Sequence, residues 1–150
     1  MEIKFRAWDK NRKRMWSAEE MGQDQLTLMP DGRGFANISG VDTKLSRVDD
    51  GRTMIPLQYI GLKDKNGKEI YEGDIVSFHS STMEFIHSVI WREREALFAV
   101  SGGDKWGSFA LQDVSDIEVL GNLYENPGLF DRSGRANNLE NDYKANTETK

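Results

Sequence analysis

The chain contains no cysteine. Disulfides, thiolate metal sites and cysteine nucleophiles are therefore excluded. Histidine is scarce, with two in 150 residues, so a zinc centre would have to draw on carboxylates. No run of apolar residues approaches the roughly 18 needed to span a bilayer. The opening MEIKFRAWDKNRKRMW lacks the apolar segment of a signal peptide, which leaves a cytoplasmic protein as the expectation. Phosphate-binding glycine patterns are missing as well: neither G-x-x-x-x-G-K-[ST] nor G-x-G-x-x-G occurs.

What is present is a short, polar chain. Hydrophobic residues make up 37 % and charged residues 30 %. At 17.1 kDa and a mean hydropathy of -0.66, it has room for one modest core. The formal net charge of -5 argues against a dedicated nucleic-acid binder. The charge is uneven. Lys4, Arg6, Lys10, Arg12, Lys13 and Arg14 crowd the N-terminus, whereas Asp113, Asp116, Glu118 and Glu125 cluster late. Such patches are either two solvated faces or complementary surfaces for self-association.

Period-two patterning dominates. Ile3, Phe5 and Ala7 alternate with Lys4, Arg6 and Trp8, and apolar residues resume at Met15-Trp16, which predicts a β-hairpin over 2–17. Ser17 followed by Glu20 predicts a capped helical turn. A second hairpin is expected over 25–40 around Pro30-Asp31-Gly32. Residues 40–56 give no clear signal. Asn66-Gly67 and Glu72-Gly73-Asp74 mark two turns. Short strands then recur to Leu123, and Pro127 should end the last of them. The tail from Asp131 has only Leu139 and Tyr143 as large apolar residues, so a flexible or frayed segment is expected over 131–150. The fold class read from this pattern is mainly β. It is a small SH3-like barrel over about residues 70–125 with N-terminal hairpins packed on it. A single domain over 1–130 would comprise a hairpin part (1–56) and a barrel part (57–130).

Three blocks carry a family resemblance. They are Glu2-Ile3-Lys4-Phe5-Arg6-Ala7-Trp8-Asp9, the long stretch from Gln58-Tyr59-Ile60-Gly61 through Asp64, Asn66-Gly67 and Glu72-Gly73-Asp74 to Val76, and Val119-Leu120-Gly121-Asn122-Leu123-Tyr124-Glu125-Asn126-Pro127. In this order they resemble the YopX family. The resemblance implies a phage or prophage protein acting in a bacterial host cell. It brings no catalytic residues and leaves the molecular role open; it is compatible with a homo-oligomer.

Candidate sites are few. Glu72-Gly73-Asp74 could bind a cation or act in acid–base chemistry, but acids beside turn glycines usually bond the turn's own amides. With Gly61, Asp64, Asn66, Gly67, Gly121, Asn122 and Tyr124 they are expected to be structural. His79 and His87 could meet across a hairpin, yet no nucleophile is spaced to use them. Lys63 to Lys68 is a basic hairpin tip. Among the four tryptophans, Trp8 and Trp91 are expected in packing, and Trp106 in its glycine-rich loop is expected to be exposed. The candidate interaction surface is therefore Lys4, Arg6, Trp8, Lys10, Lys13, Arg14 and Trp106. The expected function is a non-enzymatic β module, without cofactor or metal, acting through protein contacts that include self-association. The alternative is a nucleic-acid-binding or transcription-modulating barrel using the basic N-terminal hairpin; net charge disfavours it. No membrane contact is expected.

Overall fold

The computed structural model describes residues 1–37, 53–103 and 107–129, together with the backbone of 46–47. The expected tail, most of 40–56 and Trp106 lie outside the described residues. The chain divides into two compact units, residues 1–61 and 62–150.

In the first unit, β1 (Phe5–Asp9) lies between β2 (Arg14–Trp16) and the first part of β6 (Met54–Lys63), antiparallel to both. Helix α1 (Ala18–Gln23) begins at Ser17, whose side chain accepts from the Glu20 amide while the Glu20 carboxylate accepts from the Ser17 amide. These reciprocal bonds satisfy donors that a helix start would otherwise leave open. A smaller sheet follows: β3 (Leu26–Leu28), β4 (Phe35–Asn37) and β5 (Ser46–Arg47), in that order. Ala7, Met21, Phe35 and Met54 form the unit's core, with Trp16, Leu26 and Leu28 packed on it.

The alternation expected in the first strand is only partly realised. Ile3 lies ahead of β1 and is 73 % exposed, whereas Ala7, Trp8 and Asp9 are all buried. A strand paired on both sides and buried on consecutive residues does not show the clean period two of a half-exposed one.

In the second unit, the end of β6 turns into β7 (Glu69–Tyr71). A five-stranded antiparallel sheet then runs in the order β11 (Ser108–Ala110), β10 (Leu97–Ser101), β9 (Met83–Arg92), β8 (Asp74–Ser80), β12 (Ser115–Asn122). A 3-10 turn over Leu111–Asp113 precedes β12, and another over Pro127–Leu129 follows it. The protein is thus mainly β, as its patterning predicts.

Cross-strand partners share a face. Val76 pairs with His87, Phe78 with Phe85, Val89 with Val100, and Val100 with Phe109. In a flat sheet β8 and β11, three strands apart, would be separated by about 14 Å. Yet the Phe78 and Phe109 rings lie 5.7 Å apart. The sheet must therefore curl, with this aromatic face on its concave side. Register shifts in β12 after Ser115 and after Val119 mark irregularities where it pairs with β8.

Gly121 sits where a side chain does not fit: a Cβ there would lie 2.5 Å from Asn126 Oδ1 and 2.9 Å from Leu129 Cδ1. Substitution Gly121→Ala should cost about 1–3 kcal/mol by overpacking, read as a lower urea midpoint at unchanged m-value.

Candidate functional site

The described residues offer several places where ionisable groups are held, and most prove to be turn supports. Asp9, only 2 % exposed, is one. Its Oδ1 accepts from the amides of Asn11 and Arg12, both at 3.0 Å. Its Oδ2 accepts from Arg12 Nη1 at 3.1 Å and Trp16 Nε1 at 3.3 Å. Burial works to raise its pKa, but the amide, guanidinium and indole donors outweigh it and hold the carboxyl below its ordinary value. The sequence reading missed this residue. Its signal was an Asp heading the polar turn Asp9-Lys10-Asn11-Arg12.

Asp64 does the same for the second unit, and more. Oδ1 accepts from the amides of Asn66 (2.8 Å) and Lys68 (2.9 Å), while Oδ2 accepts from the Val119 amide at 2.9 Å. The Lys65 amide adds a bond to the Ile117 carbonyl at 2.9 Å. One carboxylate therefore shapes the β6–β7 turn and docks it along β12. Gly67 takes φ +81°, the left-handed position that closes such a turn. Lys65 Nζ lies 2.7 Å from Glu118 Oε2, and this hydrogen-bonded pairing raises the lysine's pKa. Desolvation opposes ionisation of Asp64, but the three amides and Lys68 leave its pKa lowered.

The remaining motif residues follow this logic. Asp74, 1 % exposed, accepts from the Tyr71 amide at 2.8 Å. Between them Gly73 has φ +84°, donates to the Val89 carbonyl and accepts from the Leu123 amide. Glu72 is half-buried at the same turn. Asn122 Oδ1 accepts from the amides of Tyr124 (3.0 Å) and Glu125 (2.8 Å). Gly61 has φ +86°, with Met1 against it.

The two histidines are not brought together. His79 pairs with Glu84 and His87 with Val76, so with the register unbroken they occupy opposite faces of the sheet. His79 is partly exposed, 3.8 Å from Asp116 Oδ2. His87 is fully buried among Phe78, Phe85 and Phe109, with ring centroids 5.2, 5.6 and 5.8 Å away. Neither of its ring nitrogens has a hydrogen-bond partner; the Val100 carbonyl, which would favour the charged ring, falls short of bonding geometry. Burial pushes its pKa down to about 4.

The proposed N-terminal surface also changes. Lys4 Nζ lies 3.3 Å from Glu2 and 5.9 Å from the Tyr59 ring centroid. Arg14 bonds Glu20 at 2.7 Å and stacks on Trp16 at 3.9 Å. Arg6 is half-buried, and Lys10 and Lys13 are exposed at the hairpin turn. Trp8 is 8 % exposed, so it belongs to packing and leaves the candidate surface. Trp91, expected in packing, is instead 44 % exposed and packs edge-on against Phe98 at 5.0 Å. It stands at the end of β9, beyond the part of the sheet that is buried on both faces.

A cleft of about 420 Å³ opens in the first unit, lined by Asp9, Asn11, Arg12, Asp24, Leu26, Asn37, Thr53 and Met54. Its buried acid, Asp9, is already engaged by four donors and so is not free to act as a general base. Among the described residues, no three His, Asp or Glu lie together as a metal site, and no helix is long and apolar enough to cross a membrane.

Replacing Asp64 by Ala strands three amides and should destabilise by about 2–4 kcal/mol, measured by urea unfolding. The pH dependence has a definite sign. A depressed carboxyl pKa stabilises the fold above the unfolded value and loses that contribution as pH falls. The wild-type midpoint should therefore drop as pH is lowered through and below about 4, and Asp64→Asn should flatten that drop.

The comparisons agree with this picture of structural blocks. The family model described as "YopX protein" matches residues 4–131. No curated protein matches the chain. Among solved structures, protein EF1440 from Enterococcus faecalis is similar at 25 % identity and a TM-score of 0.57, over 87 % of this chain and 99 % of that one. Protein yopX from Bacillus subtilis is similar in fold at 23 % identity and a TM-score of 0.56, over 85 % of this chain and 97 % of that one. With the model spanning all three blocks, from the first strand to the turn beyond β12, the chain belongs to the YopX family.

Proposed function

We propose that this chain is a non-enzymatic phage or prophage accessory module that acts through protein contacts, including contact with copies of itself. The observation that carries the reading is the tip of the β9–β10 hairpin. Trp91, 44 % exposed, and Phe98 form an aromatic pair there. The connecting segment Arg92-Glu93-Arg94-Glu95 alternates in sign. Tryptophan and arginine are the residues most enriched where proteins bind one another. In a chain of net charge -5, self-contact is opposed by like-charge repulsion, and this tip sums to zero. Arg92 already bonds Glu95 at 2.6 Å within the tip, so in a two-fold contact Arg94 of one copy and Glu93 of the other are the charges that can meet.

Two further features support a non-catalytic reading. Asp9 and Asp64 are engaged by donors of their own turns, and His79 and His87 face opposite ways. Nucleic-acid binding by the N-terminal hairpin is the weaker alternative. Three of its cations, Lys4, Arg12 and Arg14, lie beside the chain's own carboxylates. That leaves Lys10 and Lys13 as the main exposed charges for phosphate, too few for strong counterion release.

Light scattering at high micromolar concentration should give a mass above 17.1 kDa. Trp91→Asp, with its melting temperature checked, should weaken association at least about tenfold, because one desolvated tryptophan contributes about 2 kcal/mol or more at such a contact. A wild-type monomer that pulls down no partner defeats the reading. An electrophoretic shift with DNA or RNA that fades with salt would favour the alternative.

A further inference from the structure

The least explained feature of the second unit is His87. A buried polar group without a partner destabilises a fold, and such groups in native proteins call for a reason. Leucine or phenylalanine would fill the space between Phe78, Phe85 and Phe109 without that penalty. Apart from the Val100 carbonyl, the concave face around the ring is apolar. From β8 it presents Val76 and Phe78, from β9 Phe85 and Val89, from β10 Val100, from β11 Phe109 and from β12 Val119. Asp74 is the one ionisable residue besides His87 on this face of the strands among the described ones. It sits at the far end of β8, opposite Asn122, and accepts from the Tyr71 amide. The ring therefore takes a proton far more readily once its enclosure opens.

The weakest wall is β11. Among the described residues it is an edge strand of three residues, paired with β10 through Ser108, Phe109 and Ala110, with the Gly102 amide bonded to the Gly107 carbonyl just before it. Elements with few ladder bonds open first. Gly103 and Gly107, at φ +79° and +70° and joined by a bond from the Gly107 amide to the Gly103 carbonyl, precede it. Such glycines permit large backbone rotation at little cost. Phe109 closes over the imidazole from this strand, with centroids 5.8 Å apart.

We propose that His87 and the phenyl rings around it form an acid-released latch, in which proton uptake by the imidazole is coupled to the lifting of β11 and Phe109 from the concave face of the sheet. The opened state would expose Phe78, Phe85 and Phe109, an aromatic surface hidden at neutral pH. The sign follows from linkage. In the closed form the ring titrates near 4, whereas an opened ring titrates near its ordinary 6.5. Opening is therefore favoured as pH falls through 6.5 and stops gaining below about 4. Between about pH 7 and pH 4 the opened population should rise on the order of a hundredfold. This window lies above the range in which Asp9 and Asp64 lose their contribution, so the two effects separate. The latch does not depend on the self-association proposed above.

Hydrogen exchange by mass spectrometry, corrected for the intrinsic pH dependence of amide exchange, tests it on the full chain. Lowering the pH from about 7 to about 4.5 should reduce protection in the peptide covering 107–111 by tens of fold. The peptide covering 74–78 should stay protected. His87→Phe, and His87→Leu as a second variant should the first misfold, should abolish the loss, while His79→Gln on the opposite face should leave it intact. Loss of protection unchanged in His87→Phe or His87→Leu, or simultaneous loss in β8 and β11, would overturn the latch. So would an NMR titration placing the His87 ring near 6.5 in the folded protein.

Discussion

A tight turn exposes backbone amides that no neighbouring strand can reach, and this protein answers that constraint with short polar side chains at turn entries. Asp9, Asp64, Asp74 and Asn122 each place an oxygen under one or more amides of the turn that follows or precedes them. Asp64 goes furthest. Its second oxygen takes the Val119 amide, 55 residues away in the chain, so that one side chain defines a local turn and anchors the last strand. An exposed edge strand invites pairing with other chains. Here the outer side of β12 is occupied at Val119 and Ile117 by the turn itself.

This arrangement explains what the three family blocks are. Each coincides with a stapled turn, and the second and third carry glycines beside it. Gly61, Gly67 and Gly73 all adopt positive φ, and Gly121 lies against Asn126. The described residues of the blocks hold backbone geometry in place.

The aromatic face adds a second layer of meaning. Curling brings β8 and β11 within ring contact and so encloses an imidazole that the register alone would place merely beside Val76. Enclosure removes water from the ring, and the absence of a partner favours its neutral form while the sheet is closed. The same curvature that stabilises the unit thus makes its stability depend on a proton. Farther along the same face, Trp91 and Phe98 lie beyond the enclosed region, which is why an apolar residue that reads as core is left accessible.

Local chemistry was legible from residues alone. Short apolar, β-branched and aromatic runs between turn signals placed the strands from β8 to β11, and alternation placed β12. Ser17 and Glu20 announced the cap of α1, and Asn66-Gly67 announced the hairpin, because these signals act over two to four residues and need no distant partner. The mainly β class followed from them. What the tertiary structure decided were relations between residues far apart in the chain. Trp8 became buried and Trp91 exposed, Asp64 found Val119, and the two histidines fell on opposite faces. Period two tells which residues share a side of a strand. It does not tell which side is covered or how strongly the sheet bends, because those depend on how all the strands close on one another.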